Sequence, residues 1–200
     1  MKKIYFNKKG YLKSISLLIT SLLITIGKSP TEVQAACSGG TITTDGSYKV
    51  HKFTSTANFT SYKSMTITYL VIAGGGAGAQ NRGSGGGAGG YLTGSISVPE
   101  GSRSATVGAG GTTNIWPTAG SGSSFYTISA SGGGEGKPGG TPACNGGSGG
   151  SGGGATAYDA YESTTGGAGT SGQGYKGGNA YVNAGAARWC AAGGGGSGGA

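Results

Sequence analysis

Hydrophobic and polar positions divide this 200-residue chain into three zones. Residues 15–26 (ISLLITSLLITI) form one apolar run, residues 41–73 alternate or cluster as β-strands do, and from residue 74 glycine runs alternate with short apolar inserts. After residue 36 no stretch shows the 3.6-residue period of an amphipathic helix. The pattern therefore predicts a mainly β and irregular fold, with little α-helix apart from the N-terminal segment.

The middle zone predicts a hairpin and a long strand. Asp45-Gly46 is a dipeptide that suits a tight hairpin turn, because glycine accepts positive φ. Residues 48–53 (YKVHKF) then alternate with a period of two. Residues 65–73 (MTITYLVIA) are rich in β-branched and large apolar side chains. We expect Leu70-Val71-Ile72 to be buried on both faces of its strand.

Glycine dominates the third zone, since 44 of the 49 glycines lie in residues 74–200. A flexible Gly/Ser linker would lack the apolar inserts 91–98 (YLTGSISV), 104–108 (SATVG) and 124–130 (SFYTISA). Pro99-Glu100-Gly101 predicts a turn between the first two inserts. Collagen requires strict triplets and more than five prolines. We therefore expect extended threefold helices of the polyglycine II type that pack side by side with the strand inserts between them; a solvated linker stays the alternative.

The first 35 residues have the layout of a secretory signal peptide: a lysine-rich start, an apolar core and small residues at the end. Val33 and Ala35 suit a signal peptidase, so we expect cleavage between Ala35 and Ala36. The apolar core is shorter than the ~20 residues that span a bilayer, so no stable membrane span is expected after cleavage. The expected location is extracellular or at the cell surface. A lipoprotein cut before Cys37 and a buried N-terminal helix of a cytosolic protein stay open.

This boundary predicts a signal peptide over 1–35 and a glycine-rich domain over 36–200, with a strand part (36–73) and a glycine-row part (74–200). Residues 1–35 carry six of the 14 basic residues and one of the six acidic residues, so the remainder has a net charge of only +3. That charge gives no reason to expect a nucleic acid partner.

Three cysteines permit three different single disulfides, and an exported chain can form them. We expect Cys144 to pair with Cys190, because both lie in the glycine-rich part, and Cys37 to be left over. A zinc site is not expected, since the chain has one histidine and no short CxxC spacing.

Three segments resemble a known family: GGTITTDGSYKVHKFTSTANFT (39–60), YLVIAGGGAGA, and GGGAGGYLTGSISVPEGSRSATVGAGG (85–111). Their order is similar to that in the glycine-rich domain of bacteriophage tail-fibre adhesins and related bacterial exported proteins. More distantly it resembles the glycine-rich region of anaplastic lymphoma kinase receptors. The resemblance covers about residues 39–200 and implies polyglycine helices beside β-strands in an extracellular module.

In adhesins of this type, loops between glycine rows contact host surface molecules. The resemblance implies such a role for loop aromatic and acidic residues of this chain, which are Trp116, Tyr158, Asp159, Tyr161 and Tyr175. Trp189, beside Cys190, is interpreted as structural.

Enzyme signatures are weak, and we expect neither catalysis, a cofactor nor a metal. Gly74, Gly76 and Ala79 fit a dinucleotide fingerprint, but QNRGSGGGAGG cannot form the helix that must follow. His51 has no positioned serine, cysteine or carboxylate partner that the sequence can name, so we expect a surface histidine. Asp159 and Glu162 are interpreted as solvated loop charges.

The resulting hypothesis is an exported, non-enzymatic recognition or structural module that adheres to cell-surface glycans or proteins. The alternatives are a wall or matrix filler without a discrete ligand and a phage-derived tail-fibre fragment. The oligomeric state is not determined by the sequence.

Overall fold

A computed structural model describes residues 36–139, 144–158, 163–182 and 189–197. All of them belong to one compact unit, Ala36–Ala200. The predicted signal peptide with Ala35, and the predicted loop residues Asp159 and Tyr161, lie outside the described residues.

The described residues are mainly β and irregular, as predicted, and contain no helix. No helix in this part of the chain is therefore long and apolar enough to cross a membrane. The strands are short and lie in five small sheets. In chain order they are β1 Cys37–Ser38, β2 Thr41–Asp45, β3 Tyr48–Lys52, β4 Ala57–Ser61, β5 Met65–Ile72, β6 Tyr91–Val98, β7 Gly101–Thr106, β8 Ser123–Phe125, β9 Ile128–Ala130, β10 Thr156–Tyr158, β11 Ser163–Thr164, β12 Ala180–Tyr181 and β13 Trp189–Ala191.

The hairpin predicted at Asp45-Gly46 is confirmed. Strands β2 and β3 pair antiparallel, Asp45 lies opposite Tyr48, and Gly46 has φ +55°. A positive φ at the turn matches the twist of the two strands, and only glycine adopts it at no steric cost.

A five-stranded antiparallel sheet has the order β1-β4-β7-β8-β9. Phe59 of β4 and Phe125 of β8 meet edge to face on its buried side, with ring centroids 5.6 Å apart. Insert 124–130, predicted as one strand-like segment, instead forms the β8–β9 hairpin, with Tyr126 at φ +52° in the turn.

Strands β5 and β6 form a separate antiparallel ribbon in which Met65 lies opposite Val98 and Ile72 opposite Tyr91. The expectation that Leu70-Val71-Ile72 is buried on both faces is wrong, because Leu70 is 57% exposed and Ile72 54% exposed. The side chains of β5 alternate strictly between half-buried and exposed. A two-stranded ribbon covered on one face leaves every second side chain in solvent.

Glycine-rich segments from residue 73 onward lie beside one another and exchange backbone hydrogen bonds; we call these segments glycine rows. Within the described residues the rows are 73–79, 84–90, 108–112, 118–122, 131–137, 146–150, 150–155, 165–170, 174–178 and 192–196. Residues 80–83 connect the first two rows where a dinucleotide site would require a helix.

The hydrogen bonds between rows recur every third residue. The N–H groups of Ala73, Gly76 and Ala79 donate to the carbonyl groups of Gly90, Gly87 and Ser84, respectively. The intervening residues bond to other rows: Gly74 and Ala77 donate to Ser121 and Thr118. Each row therefore has several neighbours, which a pleated strand with its two-residue period does not allow.

Glycine is required in the rows by close packing between backbones. A β-carbon on Gly76 would overlap the carbonyl group of Gly134, and one on Gly152 would overlap that of Gly167. Buried serines fit where a hydroxyl group can bond to a row: Ser84 Oγ donates to the Gly154 carbonyl at 2.6 Å and accepts from Lys137 N–H at 2.7 Å. The packed interior thus consists largely of hydrogen-bonded backbone.

Large apolar side chains contribute little to this interior. The main cluster of buried apolar residues is small, with Ala155, Ala157, Ala180 and Val182, and Cys190 packs against it. It lies where strands β10, β12 and β13 extend from the rows.

Candidate functional site

The register of the rows gives the packed region two ends. Successive rows run in opposite directions, so the connections 80–83 and 113–117 lie together, and Gln80 N–H donates to the Asn114 carbonyl at 3.1 Å. Strands β10 and β13 continue from the same end of rows 150–155 and 192–196, because Ala192 N–H donates to Ala155. We call this the loop end. The other end, the sheet end, adjoins β6: Tyr91 N–H donates to Gln173 in the turn before row 174–178.

An aromatic pair and a cation lie together at the loop end. Tyr158 of β10 lies opposite Trp189 of β13, and their ring centroids are 4.1 Å apart with planes inclined by 37°. The guanidinium carbon of Arg82 lies 5.1 Å from the centroid of the Trp189 ring. A guanidinium group at this distance is attracted by the electron-rich aromatic face. Arg82, Tyr158 and Trp189 are called the aromatic cluster below.

The backbone that carries Arg82 is strained. Asn81 and Arg82 have φ values of +60° and +61°, in the left-handed region that most side chains avoid. Each costs about 1–2 kcal/mol relative to a right-handed conformation, less for asparagine. The flanking hydrogen bond from Ala79 N–H to the Ser84 carbonyl, 3.1 Å long, closes the connection and holds this conformation. Backbone strain of this kind is frequent at binding sites, where it fixes a side chain in place.

Trp116 extends from the neighbouring connection and is 67% exposed. Its loop is closed at the base, where Thr118 N–H donates to Thr112 and Thr112 N–H donates to Thr118 Oγ1 at 2.9 Å. Ile115 is also exposed, whereas Pro117 is buried. The loop thus presents a large aromatic face to solvent on a fixed base.

The structure brings some predicted contact residues together and separates others. Trp116 and Tyr158 both lie at the loop end. The loop of Trp116 is joined to the connection that carries Arg82 by the hydrogen bond from Gln80 to Asn114. Tyr175, which is 55% exposed, lies towards the sheet end, where its N–H donates to Gly196. Trp189, interpreted as structural from the sequence, is 41% exposed and belongs to the aromatic cluster.

The structure does not bring Cys144 and Cys190 together as the predicted disulfide would require, and Cys190 is a free thiol. Cys144 pairs with Thr156 of β10, while β13 pairs with β10 so that Cys190 lies opposite Ala157. A strand therefore lies between the two cysteines, and two interstrand spacings amount to about 9–10 Å. A disulfide requires Cα atoms within about 7 Å.

His51, expected as a surface residue, is half-buried on hairpin strand β3 and has polar partners that the sequence could not name. His51 Nε2 lies 3.1 Å from Cys37 Sγ, and His51 Nδ1 lies 2.7 Å from the Gly39 carbonyl oxygen. The ring also meets that of Phe59 edge to face, with centroids 5.3 Å apart. The sequence has no direct signal for this arrangement, because it depends on a long-range contact. The pairing of β1 with β4 brings Cys37 to the hairpin that carries His51.

Glu135 and Lys137, both in row 131–137, form an ion pair. Lys137 Nζ donates to Glu135 Oε1 at 2.5 Å, and both side chains are about three-quarters buried. Burial by itself raises the pKa of the Glu135 carboxyl group, but the Lys137 hydrogen bond, a backbone hydrogen bond and the lysine charge together lower it below its usual value. Within the described residues, no three His, Cys, Asp or Glu side chains come together as a metal site would require.

A family model described as glycine-rich domain matches residues 51–200, which is three quarters of the chain. No curated protein matches the sequence. No solved structure matches it either.

Proposed function

The chain belongs to the glycine-rich domain family, and on that premise we propose that it is an exported recognition module whose loop end binds saccharides at a cell surface. The observation that carries the proposal is the aromatic cluster, which lies beside the exposed loop of Trp116. Exposed aromatic faces on fixed backbones pack against the C–H face of a sugar ring at low entropic cost.

We further propose that the glycine rows are polyglycine II helices. This conformation has three residues per turn, so that equivalent N–H groups recur on one side at every third residue. Hydrogen bonds from Gly87 to Gly134 and from Gly90 to Ser131 have this spacing and support the assignment. Such a bundle would act as a rigid support for the loops, because several neighbouring rows hold each row.

Export is part of the proposal and rests on the order of charged, apolar and small residues in positions 1–35. The module is proposed to act by binding alone, without turnover, a cofactor or a nucleic acid partner. A net charge of +3 beyond residue 35 agrees with a surface that is not built for polyanions.

Glycan-array binding with single replacements tests this function. Trp116→Ala should reduce saccharide binding at least about tenfold, since loss of one stacked aromatic ring costs on the order of 1.5 kcal/mol. Trp189→Ala should do the same and also release Arg82. Tyr175→Ala is the matched control, because it removes an exposed aromatic ring at the sheet end.

The results separate the proposal from its main alternative. Equal loss with Tyr175→Ala would contradict a site confined to the loop end. Failure of the unmodified protein to bind any saccharide or cell-surface preparation saturably would favour a matrix filler instead, a role that the packed rows would support without a ligand.

A further inference from the structure

Cys37 and His51 form a pair that the recognition function does not use. Strand β1 holds Cys37 opposite Ser61 of β4, and strand β3 holds His51 opposite Ile42. Two separate strand pairings therefore bring the thiol group and the imidazole ring to 3.1 Å. His51 is the single histidine of the chain, so no other cysteine can have such a partner.

The position of the proton on His51 follows from its second contact. The Gly39 carbonyl oxygen, 2.7 Å from Nδ1, can only accept a hydrogen bond, so Nδ1 carries the proton of the neutral ring. Nε2 then has a free electron pair directed at the Cys37 thiol. A nucleophile, a base and a group that orients the base are the parts of an activated thiol.

The surrounding backbone fixes this arrangement. Gly39 has φ +111°, and a β-carbon there would overlap the Asn58 carbonyl group. Gly39 therefore lies directly against β4, and its carbonyl group faces the imidazole ring. Phe59 contacts the same ring edge to face.

We infer that Cys37 and His51 form a base-assisted thiol that exchanges with low-molecular-weight disulfides. His51 Nε2 takes the thiol proton, and the Cys37 sulfur attacks one sulfur of the disulfide. The new S–S bond forms as the old one breaks, and the departing thiolate takes up the proton. One disulfide and one thiol thus give one mixed disulfide and one free thiol, with no other oxidant required.

Burial raises the pKa of the Cys37 thiol, so near neutral pH the group is protonated and its reaction depends on a base. The charged and titratable groups on the surrounding strands are few. They are Asp45 on β2, Tyr48, Lys49 and Lys52 on β3, and Tyr62 after β4. The Tyr62 hydroxyl group is hydrogen-bonded to Ser38 Oγ, and Lys49 donates to Thr44 Oγ1, so both engage groups other than Cys37 and His51.

The test uses the purified protein and the aromatic disulfide 5,5′-dithiobis(2-nitrobenzoic acid), with modified cysteines located by peptide mass spectrometry. In the unmodified protein at pH 7, the rate at Cys37 should exceed that at Cys190, because the His51 base lies beside the Cys37 thiol. In His51→Gln, which keeps a polar side chain without a base, the Cys37 rate at pH 7 should fall at least about tenfold. Cys190 is the internal control, and its rate should be the same in both proteins.

Two results would overturn the inference: a Cys37 rate that is identical in the two proteins, or a Cys37 rate in the unmodified protein at pH 7 that is no higher than that of Cys190. The second result needs no variant, so the test holds even where His51→Gln does not fold. Cys37→Ser identifies the signal, because it should abolish the fast phase and leave the slow one.

Discussion

Gly152 lies so close to Gly167 that a β-carbon on Gly152 would overlap the carbonyl oxygen of Gly167. The same segment is fixed by a hydrogen bond from Gly152 N–H to Tyr175, 2.9 Å long. Interior glycines of this protein are thus packing positions, and most of them keep negative or extended φ values.

Gly152→Ala is therefore expected to be strongly destabilising. Forcing one methyl group between two backbones costs about 1–3 kcal/mol or more, since no flexible side chain can move aside. Gly193→Ala is the matched control, because a β-carbon there meets nothing within 4 Å. Urea or thermal unfolding should show a change within about 0.5 kcal/mol for the control. Equal stability of both variants would contradict packed rows.

The backbone hydrogen bonds should slow amide hydrogen exchange in the rows. Gly76 donates to Gly87, Gly87 to Gly134, and Gly134 to Ser151, all between 2.8 and 2.9 Å. We expect these amides to exchange at least about a hundredfold more slowly than free peptide amides, because they open only with the packed rows. Exposed Gly110 provides the comparison within the same spectrum. Random-coil exchange at the interior glycines would favour a solvated linker.

Ser84→Ala should cost more than an ordinary serine replacement. The variant would leave both the Gly154 carbonyl and the Lys137 N–H without their hydroxyl partner in the interior. An unsatisfied buried polar group costs about 1–3 kcal/mol. Ser97→Ala, on the exposed face of β6, should change the free energy of unfolding by less than about 0.5 kcal/mol. A similar value for both variants would argue against the buried bonds.

Stability should fall in acid partly through Glu135. Its pKa is lower in the folded protein than in the unfolded chain, so its contribution is present above the usual glutamate pKa and is lost as pH falls through that value towards the folded one. The difference in unfolding free energy between the unmodified protein and Glu135→Gln should be at most about 1 kcal/mol at pH 7. It should shrink below about pH 4. A difference that grows in acid would contradict a lowered pKa for Glu135 in the folded protein.

Cys190 should react as a free thiol in the folded protein. The intervening strand β10 keeps it from Cys144, so alkylation without reductant should label Cys190 completely. Peptide mass spectrometry after non-reducing digestion gives the measurement. A cross-linked peptide with both cysteines would show that the strands rearrange.

Local patterns predicted the parts of the fold that depend on neighbouring residues. The turn at Asp45-Gly46 needs only two residues to be specified, and the pairing of β2 with β3 follows from it. The glycine-rich domain is equally visible in composition.

Long-range pairings were not predictable in the same way. Strand β5 pairs with β6 across two whole rows, so its partner is decided by how the rows return the chain. The exposure of Leu70 and Ile72 follows from that pairing, since a two-stranded ribbon has one covered face. A run of apolar residues cannot by itself distinguish such a ribbon from a strand that is buried on both sides.

The candidate sites show the same division. Trp116 is visible as an aromatic residue in a polar loop, whereas the position of Arg82 over Trp189 depends on an uncommon backbone conformation. His51 and Cys37 are 14 residues apart, and the pairings of β1 with β4 and of β2 with β3 together bring them into contact. For these residues tertiary structure decides the chemistry.

The three-residue spacing of the row contacts has a consequence for how such a chain can change in length. Adding or deleting a triplet within a row shifts every later donor by one complete repeat, so the partners on adjacent rows are met again in the same orientation. A change of one or two residues turns every later donor towards the wrong neighbour. Natural variants of this domain should therefore differ in row length by multiples of three, with other indels confined to the connections.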